Sequence, residues 1–168
     1  GSRGARQSFR KALDIIDVEA GVSEEAFQAL YGYWSSIYGG MNIRFAGMDI
    51  RDSRKVADSL HELSRKPESS SRRIASLYAD GSTAFWEGRS VRSFEILSQG
   101  LSIGIKSEGA GEGGGILREA ALLQSADYQF WNLWFLGRYR SALSAVEKSL
   151  GRVSETSRKR PHPDLLRR

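Results

Sequence analysis

The sequence predicts an α+β fold: one domain over residues 3–153, with an antiparallel sheet of about five strands packed against helices and two helices ahead of the sheet. A disordered basic tail, 154–168, follows. Apolar residues recur at helical spacing near both ends of the chain, whereas the middle alternates apolar with polar and is punctuated by glycine, which is the texture of short strands and turns. With 168 residues, 40% of them hydrophobic, the chain is long enough for one ordinary core.

Phe9, Leu13 and Ile16 predict a first helix over Ser8 to Ala20, stopped by Gly21. Ser23 caps a second, with Glu24 and Glu25 complementing the helix dipole and Phe27, Leu30, Tyr31, Trp34 and Tyr38 along one side; Gly39-Gly40 stops it. Met41 to Arg51 alternates, so Ala46-Gly47 forms the tip of a hairpin that pairs Phe45 with Met48 and Ile43 with Ile50. The alternative is one strand, Asn42 to Phe45, with Met48 to Asp52 entering the next helix. Asp52 or Ser53 caps that helix, Val56, Leu60 and Leu63 form its buried stripe, and Pro67 ends it. After a polar loop over Lys66 to Arg73 comes a short helix, Arg72 to Ala79, closed by Asp80-Gly81.

Ser82 to Lys106 reads as a three-strand meander: Thr83 to Trp86, Arg89 to Leu97 and Leu101 to Lys106. Glu87-Gly88 and Gln99-Gly100 supply its turns, and Ile96 opposite Ile103 with Phe94 opposite Ile105 gives one apolar face. A glycine-rich linker leads to a helix holding Leu117, Ala120, Leu123, Tyr128, Trp131 and Trp134, broken at Gly137. The last helix, Tyr139 to Leu150, turns Ala142, Leu143, Val146 and Leu150 inward and stops at Gly151. Ala29-Leu-Tyr31 and Ser76-Leu-Tyr78 echo each other, yet the spacing is too long for a solenoid repeat, so no repeat protein is expected.

Function is less legible than fold. Cysteine is absent, which excludes disulfide frameworks, thiolate zinc sites and cysteine nucleophiles and points weakly to a reducing, intracellular compartment. The two histidines, His61 and His162, assemble no metal or triad signature, so no metal and no catalytic residue is expected. The longest apolar run, Phe130 to Leu136, is far too short to span a bilayer.

Gly109, Gly111 and Gly114 satisfy a phosphate-loop spacing, although no acid follows at the distance a dinucleotide site requires. The predicted order of strand, helices, meander, glycine loop and helix over Met41 to Val153 is similar to the acetyl-CoA-dependent N-acetyltransferase superfamily. That resemblance implies a coenzyme-binding enzyme with Gly111 and Gly113 at the pyrophosphate. Glu108 stands where the family usually has Arg or Gln, and Val146 where an aromatic residue is expected.

Net charge is +5 and arginine dominates the cations, which biases partners toward anions. Arg44, Arg51, Arg89 and Arg92 fall on the polar face of the predicted sheet, and the tail carries Arg158-Lys159-Arg160, a cluster of the kind used for nuclear localisation or nucleic-acid contact. The leading expectation is therefore a non-enzymatic nucleic-acid-binding protein, RNA preferred over DNA, acting as a homo-oligomer without cofactor. The other readings are the transferase and a protein-interaction module. Trp131 and Trp134 lie in a stretch apolar around its whole circumference, which predicts a central helix or a self-association surface.

Overall fold

A computed structural model of the chain describes residues 4, 7, 23–39, 50–65, 69–109 and 115–147, and every regular element among them is a helix. In chain order these are α1 (Glu24–Gly39), α2 (Ile50–Leu63), α3 (Ser70–Trp86), α4 (Ser90–Gly109), α5 (Ile116–Phe135) and α6 over 139–147. The first helix predicted, Ser8 to Ala20, and the tail, 154–168, lie outside the described residues, as do Met41 to Asp49 of the predicted hairpin.

The α+β reading is overturned: no strand occurs among the described residues, and the predicted meander is the end of α3 and all of α4. Its error lies in which residues count as buried. On α4 the buried positions are Ser93, Ile96, Leu97, Gly100, Gly104 and Ser107, a helical spacing in which four members are too small to register as hydrophobic. The large apolar residues alone alternate, and two of them, Val91 and Ile105, are exposed. Gly100 is therefore no turn. A β-carbon there would meet the Leu77 side chain at 3.5 Å, an ordinary contact between helices.

The predicted stop at Asp80-Gly81 fails for the same reason. α3 continues through Gly81, where a β-carbon would stand 2.6 Å from Leu97, so the glycine marks a close approach of α3 to α4. Buried residues run around this helix, from Ile74 to Ala79 and again from Gly81 to Ala84. Its small polar members turn back onto the helix: Ser82 Oγ donates to the Tyr78 carbonyl at 2.6 Å and Thr83 Oγ1 to that of Ala79 at 2.7 Å, while Thr83 Oγ1 also accepts from Trp34 Nε1 of α1 at 3.2 Å. α3 is thus the central helix, one of the two places that the sequence leaves open to the Trp131 stretch.

Helix ends follow local chemistry. The Ser23 hydroxyl accepts from the Ala26 N–H at 3.1 Å, and that of Ser69 from the Arg72 N–H at 3.3 Å. At the C-termini of α3 and α5 the same device recurs. Gly88 at φ 78° and Gly137 at φ 71° adopt the left-handed conformation, and the N–H of the next residue, Arg89 or Arg138, reaches back to the carbonyl of Ala84 or Leu133 at 2.9 and 2.8 Å. Each corner sends the chain directly into the next helix.

Packing is sequential. Each helix from α1 to α5 lies against the next, and α1, α3 and α5 also pack in succession. The α1/α2 pair therefore stacks on α3/α4, and α5 packs on both α3 and α4, with Tyr31 of the echoed sequence on α1 and Tyr78 on α3. The core joins Phe27, Trp34 and Ile37 of α1, Val56, Ala57 and Leu60 of α2, Ile74 and Tyr78 of α3, Leu97 of α4 and Ala121 of α5. Fully burying aliphatic or aromatic side chains of this size contributes about 1.5–3 kcal/mol each. Arg54 ties α2 to α3 by donating to Asp80 and, through two nitrogens at 2.9 and 2.8 Å, to Glu87.

Candidate binding groove

Among the described residues, α3 and α5 leave an aromatic-lined surface open. Tyr78, Phe85 and Trp86 of α3 face Gln124, Asp127, Tyr128, Trp131 and Phe135 of α5 across a groove of about 930 Å³. Helical spacing creates it: Gln124, Tyr128, Trp131 and Phe135 repeat at three or four residues along one side of α5. A second groove of about 1030 Å³, bordered by Glu24, Gln28 and Tyr31 of α1, Arg72 of α3 and Leu117 of α5, shares Tyr78 and Gln124 with the first. The two form one surface across α1, α3 and α5.

Hydrogen bonds hold the walls in place. Trp86 Nε1 donates to the Tyr128 hydroxyl at 3.0 Å, and the Tyr78 hydroxyl donates to the Gln124 carbonyl oxygen. Phe85 packs edge-on to Tyr128 at 5.0 Å and lies 5.8 Å from the Phe135 ring. Rings run continuously from Tyr31 through Trp34 and Tyr78 to Tyr128, at centroid separations of 5.4, 5.5 and 6.3 Å. Trp34 and Tyr78 are buried in the core, so this ring chain packs beneath the grooves, and such pairs each contribute about 0.5–1.5 kcal/mol beyond their buried area.

Of the three carboxylates that border this surface, Glu24, Glu25 and Asp127, the first and last differ in how their charge is met. Partial burial pushes Glu24 upward, but hydrogen bonds from Arg72, at 2.6 Å, and from Gln28 outweigh it and hold the group below its ordinary value. Asp127 has burial without compensation, and its carboxyl is pushed above its ordinary value.

The predicted site residues are only partly brought together. Arg44, Gly111, Gly113, Arg158, Lys159 and Arg160 lie outside the described residues. Arg51, Arg89 and Arg92 fall at one end of the stack: Arg51 is a turn before Arg54, whose guanidinium holds Glu87, and Arg89 lies 3.8 Å from the same carboxylate. They sit on helices, not on a sheet face. The charge is largely answered, since Arg92 lies 3.8 Å from Glu95. Trp131 and Trp134 are each 48% exposed; Trp131 borders the groove and Trp134 packs on Tyr139 at 4.9 Å, so the Trp131 stretch is peripheral. Leu143, predicted inward, is 61% exposed, while Ala142 is buried as expected.

The acetyltransferase resemblance rests on an order of strands that the described residues do not contain. Among them no group of three or more His, Cys, Asp or Glu could hold a metal ion, and no helix is long and apolar enough to cross a membrane. No family model, no curated protein and no solved structure matches the chain. The groove's own geometry carries the functional argument.

Proposed function

We propose that the chain is a protein-interaction module that receives a peptide segment of a partner protein in the groove across α1, α3 and α5. The observation behind this reading is the pair of adjoining grooves that meet at Tyr78 and Gln124, with half-exposed Trp131 on the rim of the first. Stacked helix pairs bury their apolar stripes on neighbours and leave an extended surface on one side, a geometry suited to linear segments. Aromatic side chains in such a surface dominate binding energy, with hot spots of about 2 kcal/mol or more.

Selection of displayed random 12-residue peptides tests the proposal. The expected result is a set of binders whose affinity for Trp131→Ala falls at least tenfold while its melting temperature stays within 2 °C of wild type. Failure to select any peptide sensitive to Trp131→Ala overturns the reading. In the same experiment, light scattering that shows an oligomer converted to monomer by Trp131→Ala would assign the surface to self-association instead.

A second reading has its own support. The matching corners at Gly88 and Gly137 present Arg89 and Arg138 at the end of the stack where Phe85 meets Phe135, and Arg92 and Arg140 follow on exposed positions. A nucleic-acid backbone fits that chemistry. Filter binding of RNA and DNA across a salt series tests it: affinity that falls with salt and weakens for Arg138→Ala with Arg140→Ala supports it, and salt-indifferent or absent binding ends it.

A further inference from the structure

The Trp86–Tyr128–Trp131 end of the groove holds one carboxylate, Asp127, among aromatic side chains. We infer that this end is a subsite for a basic side chain, lysine or arginine, of the partner peptide; the inference rests on the peptide-groove reading above.

The argument is one of charge complementarity. Asp127 and Trp131 are four residues apart on α5, so they stand one above the other on the same side of the helix and both border the groove. Among the described residues no cation and no hydrogen-bond donor is recorded at the Asp127 carboxylate, in contrast to Glu24, Asp80 and Glu87, each of which is met by an arginine. This holds in a chain of net charge +5, where arginine is plentiful. Asp127 itself is exposed, so its carboxylate is open to an ammonium or guanidinium that arrives beside the rings. Trp86 has its indole N–H engaged by the Tyr128 hydroxyl at 3.0 Å, which orients the ring. Cations rest favourably on indole and phenol faces within about 6 Å. Carboxylate and rings together therefore recognise a cation and disfavour an acid.

The test uses the full chain and the peptides selected above. Three results are expected: enrichment of lysine or arginine at one position; at least tenfold weaker binding when that residue is replaced by acetyl-lysine or citrulline, its neutral counterpart; and an effect shrinking to about twofold on Asp127→Asn. Asp127→Asn itself melts no lower than wild type, because the side chain is exposed and, among the described residues, makes no hydrogen bond or ion pair. Peptides that depend on Trp131 yet carry no basic residue, or a neutral counterpart that costs the same on wild type and Asp127→Asn, overturn the subsite and leave the groove reading standing. Absence of any Trp131-dependent peptide overturns both.

Discussion

Alanine at Gly100 and at Gly81 has opposite expected signs. Both glycines sit inside helices, where replacing glycine by alanine gains about 0.8–1 kcal/mol from backbone entropy and solvation. At Gly100 the added methyl meets Leu77 at 3.5 Å, ordinary van der Waals contact, so the gain is realised in full. At Gly81 it stands 2.6 Å from both Cγ and Cδ2 of Leu97. Cγ is the branch point, so relief requires moving the whole side chain, and Leu97 is fully buried. Overpacking of this kind costs about 1–3 kcal/mol, here at the upper end, which leaves Gly81→Ala about 2 kcal/mol less stable after the helix gain. At roughly 2–4 °C per kcal/mol for a chain of this size, Gly100→Ala melts 2–4 °C above wild type and Gly81→Ala about 4–8 °C below it. Thermal unfolding followed by circular dichroism reads both. In a hairpin, Gly100 would occupy a turn position that favours positive φ, and alanine there would destabilise; a lowered melting temperature for Gly100→Ala refutes the helical account of α4.

Arg54→Ala removes charged hydrogen bonds to Asp80 and Glu87 and leaves two carboxylates facing each other, which costs about 2–3 kcal/mol at neutral pH in denaturant unfolding. Arg54 holds the Glu87 carboxyl below its ordinary value of 4.5 against the opposing effect of partial burial. A depressed carboxylate stabilises above its unfolded pKa and loses that contribution as pH falls through the folded one. The gap between wild type and Arg54→Ala is therefore full at pH 7 and narrows below about pH 4.5; a gap that is constant with pH contradicts the assignment. Gly88→Ala and Gly137→Ala meet no atom within 4 Å, so the left-handed backbone alone sets their cost, about 1–2 kcal/mol each by urea unfolding. A stabilised variant at either corner would show that the corner is not held.

The large-residue helices are readable in the sequence. α1 shows its cap at Ser23 and its stripe through Phe27 and Trp34, and α2 shows Val56 and Leu60 at helical spacing. α4 is not readable by the same rule, because Ser93, Gly100, Gly104 and Ser107 are buried by close helix approach and carry no hydrophobic signal. Small residues at this spacing are themselves the overlooked sign. For the groove, the aromatic clusters at Phe85-Trp86 and Tyr128 to Phe135 stand out in the sequence, but their meeting depends on α3 packing against α5. Asp127 has no motif around it. Only its place one turn before Trp131 marks it, and that spacing gains meaning once α5 is known to line a cavity.

The sequential stacking of the helices bears on how the molecule opens. Most contacts among α1 to α5 join helices adjacent in the chain, so the helix pairs can loosen one at a time. A peptide lying across α1, α3 and α5 would touch every pair at once. It would act as a brace, coupling three units into a single unfolding event and slowing amide exchange in helices it never contacts.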